Sequence, residues 1–103
     1  MPTYNKLVRD KLIDIIVAKG ERAIYHIAND AEFKEKLREK LREEVEEFLE
    51  KENQEEMADV LEVLHMWHML LDWSREEVEA VQKEKRDKRG GFAGRIILER
   101  TNM

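Results

Sequence analysis

Five carboxylates in two spacings carry the chemistry that this sequence could perform. Glu43, Glu44 and Glu47 form Glu-Glu-x-x-Glu; after eight intervening residues, Glu56 and Asp59 form Glu-x-x-Asp. Residues three and four apart are neighbours on a helix, so Glu43 adjoins Glu47, Glu44 adjoins Glu47, and Glu56 adjoins Asp59. Each such like-charged pair costs about 0.2–0.5 kcal/mol in an isolated helix. A face that only needed to be wet could interleave lysines, as the chain does at Lys34, Lys36 and Lys40. Between Arg42 and Lys51, however, there are five glutamates and no basic residue. A turn near Glu52 and Asn53 would set the two groups at matching depth on antiparallel helices about 8–10 Å apart. They could then converge on one cation. An all-oxygen, strongly negative ligand set selects a hard ion, Mg²⁺ or Mn²⁺. Mg²⁺ typically takes one or two protein carboxylates and completes its shell with water and substrate phosphates. A solvated helix face is the competing reading of the glutamate run, and the spacing alone names no reaction.

The helical wheel separates the five. Taking Leu41 as zero and about 100° per residue, Glu44 lies about 60° away, Glu47 about 120° and Glu43 about 160°. Glu44 therefore borders the apolar stripe and is expected to be the most desolvated, which suits a general base. A ligand role for Glu44 stays open.

The elements that must position these residues read as follows. Leu7, Val8, Leu12, Ile15 and Ile16 predict a first helix from about Asn5 to Lys19, stopped by Gly20. Arg22 to Ala28 reads as a short strand or extended segment. Asn29 or Asp30 caps a long helix with the stripe Phe33, Leu37, Leu41, Val45 and Phe48. A third helix, about Glu55 to Asp72, is apolar around nearly its whole circumference. It should be buried in the bundle or in an oligomer interface. Ser74 with Glu77 makes a capping box for a fourth helix that ends at Gly90. Arg95-Ile96-Ile97-Leu98 suggests one more strand, pairing with the segment near Ile24. The fold class is mainly α: four helices with one or two short strands, in a single domain spanning residues 1–103.

Composition narrows the partners. The chain has 103 residues, 42% charged and 42% hydrophobic, with 24 acidic against 19 basic residues and a formal charge of −5. Such a chain has the apolar fraction that disorder lacks. It is also a poor general binder of phosphate backbones, so no nucleic acid polymer is expected. A polyphosphate bound through a cation remains open. There is no Cys, which fits the cytosol and leaves no thiolate zinc site. No signal peptide or membrane span is expected at the N-terminus. Glu62 and His65 have the Glu-x-x-His spacing of di-iron bundles, but that site needs two such motifs. Trp67, Trp73 and the methionines read as core or interface.

Glu43-Glu44-x-x-Glu47 with Glu56-x-x-Asp59 resembles the all-α nucleotide pyrophosphohydrolase superfamily. That group includes MazG proteins, dimeric dUTPases and phosphoribosyl-ATP pyrophosphohydrolase. The opening Tyr4-Asn5-Lys6-Leu7-Val8-Arg9-Asp10-Lys11 and the closing Arg89-Gly90-Gly91-Phe92 with Arg95-Ile96 are similar to a small MazG-like subgroup of house-cleaning pyrophosphatases. The similarity covers essentially the whole chain. It implies a four-helix MazG-like bundle that is at least dimeric, a homodimer or dimer of dimers in the cytoplasm. It also implies Mg²⁺-dependent cleavage of a nucleoside triphosphate to the monophosphate and pyrophosphate. By matching position, Glu43, Glu47, Glu56 and Asp59 would bind the metal, and Glu44 is the candidate base. Lys6, Arg9, Lys85, Arg89 and Arg95 are the candidate phosphate-binding cations; a surface salt bridge is the alternative for each. The spacing between the acidic motifs is shorter than in typical MazG proteins, so the connecting turn is tight and the base-recognition contacts that longer members place there do not carry over from the resemblance. Two other functions compete: a phosphoribosyl-ATP pyrophosphatase, and a non-catalytic helical oligomerisation module.

Overall fold

The computed structural model describes residues 3–102; Met1, Pro2 and Met103, which the 1–103 domain reading includes, lie outside the described residues. Four helices follow in order: α1 Leu12–Ala18, α2 Asp30–Glu50, α3 Gln54–Leu70 and α4 Arg75–Arg89. The chain divides into two compact units, Met1–Trp67 and His68–Met103. The acidic motifs both fall in the first.

Local chemistry explains half of the helix ends. The Asn29 side chain accepts from the Glu32 backbone N–H at 2.9 Å and starts α2, satisfying one of the orphan donors of a first turn. Asn53 does the same for α3, accepting from the Glu56 N–H at 2.9 Å. That cap also fixes Glu56 in the first turn, where its charge complements the helix dipole. In the second unit, Ser74 and Glu77 complete the expected capping box ahead of α4. Gly90, at φ 80°, ends α4 in a left-handed conformation that a side chain would strain.

The first helix is shorter than its apolar spacing predicts. Residues 3–11 are not helical, and α1 begins only at Leu12. Asn5 has φ 45°, which interrupts any helix there. Lys6 and Arg9 instead reach across to α2 and α3. Together with the half-buried Leu7 and Val8, which line a cleft with Leu37 and Val63, these pairs lay the segment as a strap across the two helices, and local propensity yields to those contacts.

Both expected strands are absent: among the described residues there is none. Ile24 is 96% exposed and Ile96 88% exposed. A strand is stable only when its backbone pairs and one face is covered, and neither stretch meets that condition.

The buried core is small. Among the described residues, the buried apolar ones are Leu37, at 1% exposure, and Val63. Of the two surroundings expected for α3, the interior of the bundle does not enclose it: Met57, Leu61, Leu64 and Met69 are exposed. The exposed α2 residues Val45 and Leu49 extend this uncovered apolar surface. No helix among the described residues is long and apolar enough to cross a membrane.

Candidate metal centre

The first unit brings all five carboxylates together in two overlapping sets. Oxygens of Glu43, Glu44 and Glu47 lie within 4.8 Å of one another, and so do oxygens of Glu44, Glu56 and Asp59. Glu44 belongs to both sets and joins the α2 cluster to the α3 pair. Neither set includes Glu62, His65 or His68.

Glu44 differs from the other four in burial. At 7% exposure it is the only buried polar or charged residue among those described. Its Oε1 takes an ion pair from Lys40 at 3.2 Å. Its Oε2 is buried with no hydrogen-bond partner, as is Oε2 of Glu56. Leaving one buried charged acceptor unsatisfied costs at least about 1–3 kcal/mol, and here two lie in one cluster. Two partnerless oxygens among converging carboxylates are the donor set that a hard cation would satisfy. By this test the residues fit Mg²⁺ or Mn²⁺.

Cations of the chain already compensate part of the charge. Lys6 Nζ lies 3.2 Å from Glu43 Oε1, and Arg9 Nη2 lies 2.7 Å from Asp59 Oδ1. Both come from the strap, and both are well exposed, Arg9 at 64% of its side chain. Lys40, 3.4 Å from Glu43 Oε1 as well, is only 17% exposed. It shares a cleft of about 100 Å³ with Leu7, Leu37, Glu44, Asp59 and Val63. Sequence reasoning passed over Lys40 as one of the solvated lysines. The signal was present, since it stands three residues before Glu43 and four before Glu44.

The balance of burial and charge splits the glutamates. Burial works against ionising Glu43, but the hydrogen bond from Lys6 and the charges of Lys40 and Lys6 outweigh it and hold its pKa below the ordinary value. Glu47 is pushed the other way, first by the charge of Glu44, then by desolvation, with Glu43 and Glu56 adding to it. Like charges held together without a counter-ion disfavour ionisation.

Of the five expected phosphate-binding cations, Lys6 and Arg9 stand at the carboxylates. Lys85, Arg89 and Arg95 belong to the second unit. Lys85 and Arg89 line an open groove along α4 with Val81, Glu84 and Lys88. Arg95, at φ 55°, donates its backbone N–H to Phe92 O at 3.2 Å. No protein-family model matches the chain, and no curated protein or solved structure matches it either.

Proposed function

We propose that the chain is a MazG-like nucleoside triphosphate pyrophosphohydrolase that uses Mg²⁺, or Mn²⁺ in its place, and serves in cytoplasmic nucleotide-pool house-cleaning. The observation that carries this reading is Glu44: buried, shared by both carboxylate sets, and with one oxygen lacking any partner. Glu43, Glu47, Glu56 and Asp59 would hold the metal. When bound, it would supply charge neutralisation at the phosphates and a lowered pKa for bound water.

The chain's own groups divide the remaining work. Glu44 takes the proton of the attacking water through its free oxygen, and Lys40 holds the other oxygen in place. The water oxygen bonds to the α phosphorus as the bond from that phosphorus to the α,β-bridging oxygen breaks, and pyrophosphate leaves with that bond's electron pair. Lys6 and Arg9 are exposed enough to leave their carboxylates and meet the phosphate oxygens, the guanidinium fork of Arg9 being suited to them. Lys85, Arg89 and Arg95 are assigned the same task, on the resemblance alone. The exposed apolar residues Val45, Leu49, Leu61 and Leu64 support a homodimer or dimer of dimers that covers them.

The test is a panel of nucleoside triphosphates, canonical and damaged, together with phosphoribosyl-ATP. Each is incubated with Mg²⁺ or Mn²⁺ and followed by pyrophosphate release. Wild type should turn over at least one triphosphate, and Glu44→Ala and Asp59→Ala should lose that activity. If no nucleotide yields pyrophosphate, or both variants match wild type, the function is not this one.

A further inference from the structure

Five carboxylates meet three cations at the centre, Lys6, Arg9 and Lys40, and the formal remainder is −2. The three are not equivalent. Lys6 and Arg9 sit on a strap without helical structure and keep much of their surface in water. Lys40 is on the third turn of α2, its stem in the cleft beside Leu37 and its ammonium between Glu43 Oε1 and Glu44 Oε1. It cannot withdraw without leaving a buried carboxylate oxygen unpartnered, whereas the strap residues can. The result is a carboxylate pinned at one end: Glu44 Oε1 is engaged and Oε2 is free.

Resting on the function just described, we propose that Lys40 is a resident positioning residue that occupies one oxygen of Glu44 and of Glu43 and restricts their roles to the other. Two effects follow, with opposite signs. Without the ammonium, both oxygens of each glutamate can engage a cation, and the local charge becomes one unit more negative. Even under water-like screening, removing a unit positive charge a few ångströms from a divalent ion changes its affinity on the order of tenfold. The metal is then held more tightly. Glu44, no longer pinned, is drawn into ligation and ceases to serve as base, so turnover falls.

The experiment compares wild type with Lys40→Gln, Lys40→Met and Lys40→Arg. Mg²⁺ affinity is read from thermal shift and calorimetry without nucleotide, and kcat and KM from pyrophosphate release. All are read where circular dichroism shows each variant folded, with sucrose added to favour the compact state where required. Lys40→Gln and Lys40→Met should bind Mg²⁺ about tenfold more tightly. Their kcat should fall about tenfold or more, a loss within the range general-base catalysis supplies, with KM little changed. Lys40→Arg should move both readings back toward wild type. A merely structural lysine gives another pattern, in which metal affinity and kcat fall together or neither changes, and either result overturns the proposal. The metal measurement needs no turnover. If wild type releases no pyrophosphate, the proposed function falls while the affinity change still decides the role of Lys40. A wild type that binds neither Mg²⁺ nor Mn²⁺ overturns it outright.

Discussion

Replacing Glu44 by Gln should stabilise the metal-free chain while weakening its response to Mg²⁺. In wild type, Glu44 buries a charge whose Oε2 has no partner, beside four other carboxylates. Relief of one unsatisfied buried acceptor contributes about 1–3 kcal/mol. The substitution also weakens the 3.2 Å pair with Lys40, turning a charge-assisted bond into an ordinary one at a cost of about 1 kcal/mol. Lys40 is not stranded, because Glu43 Oε1 stays 3.4 Å away. The net gain is about 1 kcal/mol, which for a domain of this size raises Tm by roughly 4–8 °C. Addition of Mg²⁺ should close that gap. A ligand at about a hundred times its Kd stabilises the folded state by about 2.7 kcal/mol; wild type should receive that increment, whereas Glu44→Gln keeps the four ligands but loses a unit charge beside them, and so about tenfold in affinity, and should receive about half of it. The assay is paired thermal melts with EDTA and with excess Mg²⁺. If Glu44→Gln melts below wild type in EDTA and gains the same increment from Mg²⁺, Glu44 is an ordinary ion-pair residue and the reasoning is refuted.

Four further outcomes follow from the same geometry. Glu47 has a raised pKa, so its contribution to stability is present below its ordinary value and is lost as pH rises through the folded-state pKa. Metal-free Glu47→Gln should therefore melt a few degrees above wild type near neutrality, with the gap closing as a pH series descends toward 4.5. Arg9→Ala should change Tm little, since an exposed pair contributes about 0–1 kcal/mol, yet raise KM for the triphosphate severalfold; an unchanged KM would remove Arg9 from substrate binding. Ser74→Ala should lower stability by about 1 kcal/mol through loss of the cap, measured by urea denaturation, with kcat unaffected. Leu61→Asp, on the exposed face of α3, should shift sedimentation toward monomer while the far-ultraviolet circular dichroism of the helices is retained.

Helix positions were legible wherever a short-range signal decided them. Asn29, Ser74, Glu77 and Gly90 act through hydrogen bonds and dihedrals within a few residues, so α2 begins, and α4 begins and ends, where those residues stand. The wheel position of Glu44 beside Leu41 likewise pointed to its burial, and it is more buried than Val45 of the expected stripe. Errors came where a distant partner decides. Residues 5–11 have helical spacing, but their cations bond across to Glu43 and Asp59. The apolar runs near Ile24 and Ile96 have β-branched residues but no paired neighbour.

By itself, then, the sequence determined a mainly helical chain, its caps, and two acidic spacings on consecutive helices, because all of these depend on neighbours three or four residues away. Only the tertiary structure decided that Glu44 joins both acidic sets and keeps a partnerless oxygen. It alone decided that Lys6 and Arg9 strap the two helices, and that Lys40 shares a cleft with Leu7 of the strap and with Asp59 and Val63 of α3. These depend on which side chains meet across α2, α3 and the strap, at separations of up to 50 positions. Over that distance a local pattern carries charge and hydropathy but no pairing, and it is the pairing that gathers the carboxylates of α2 and α3 into one cluster.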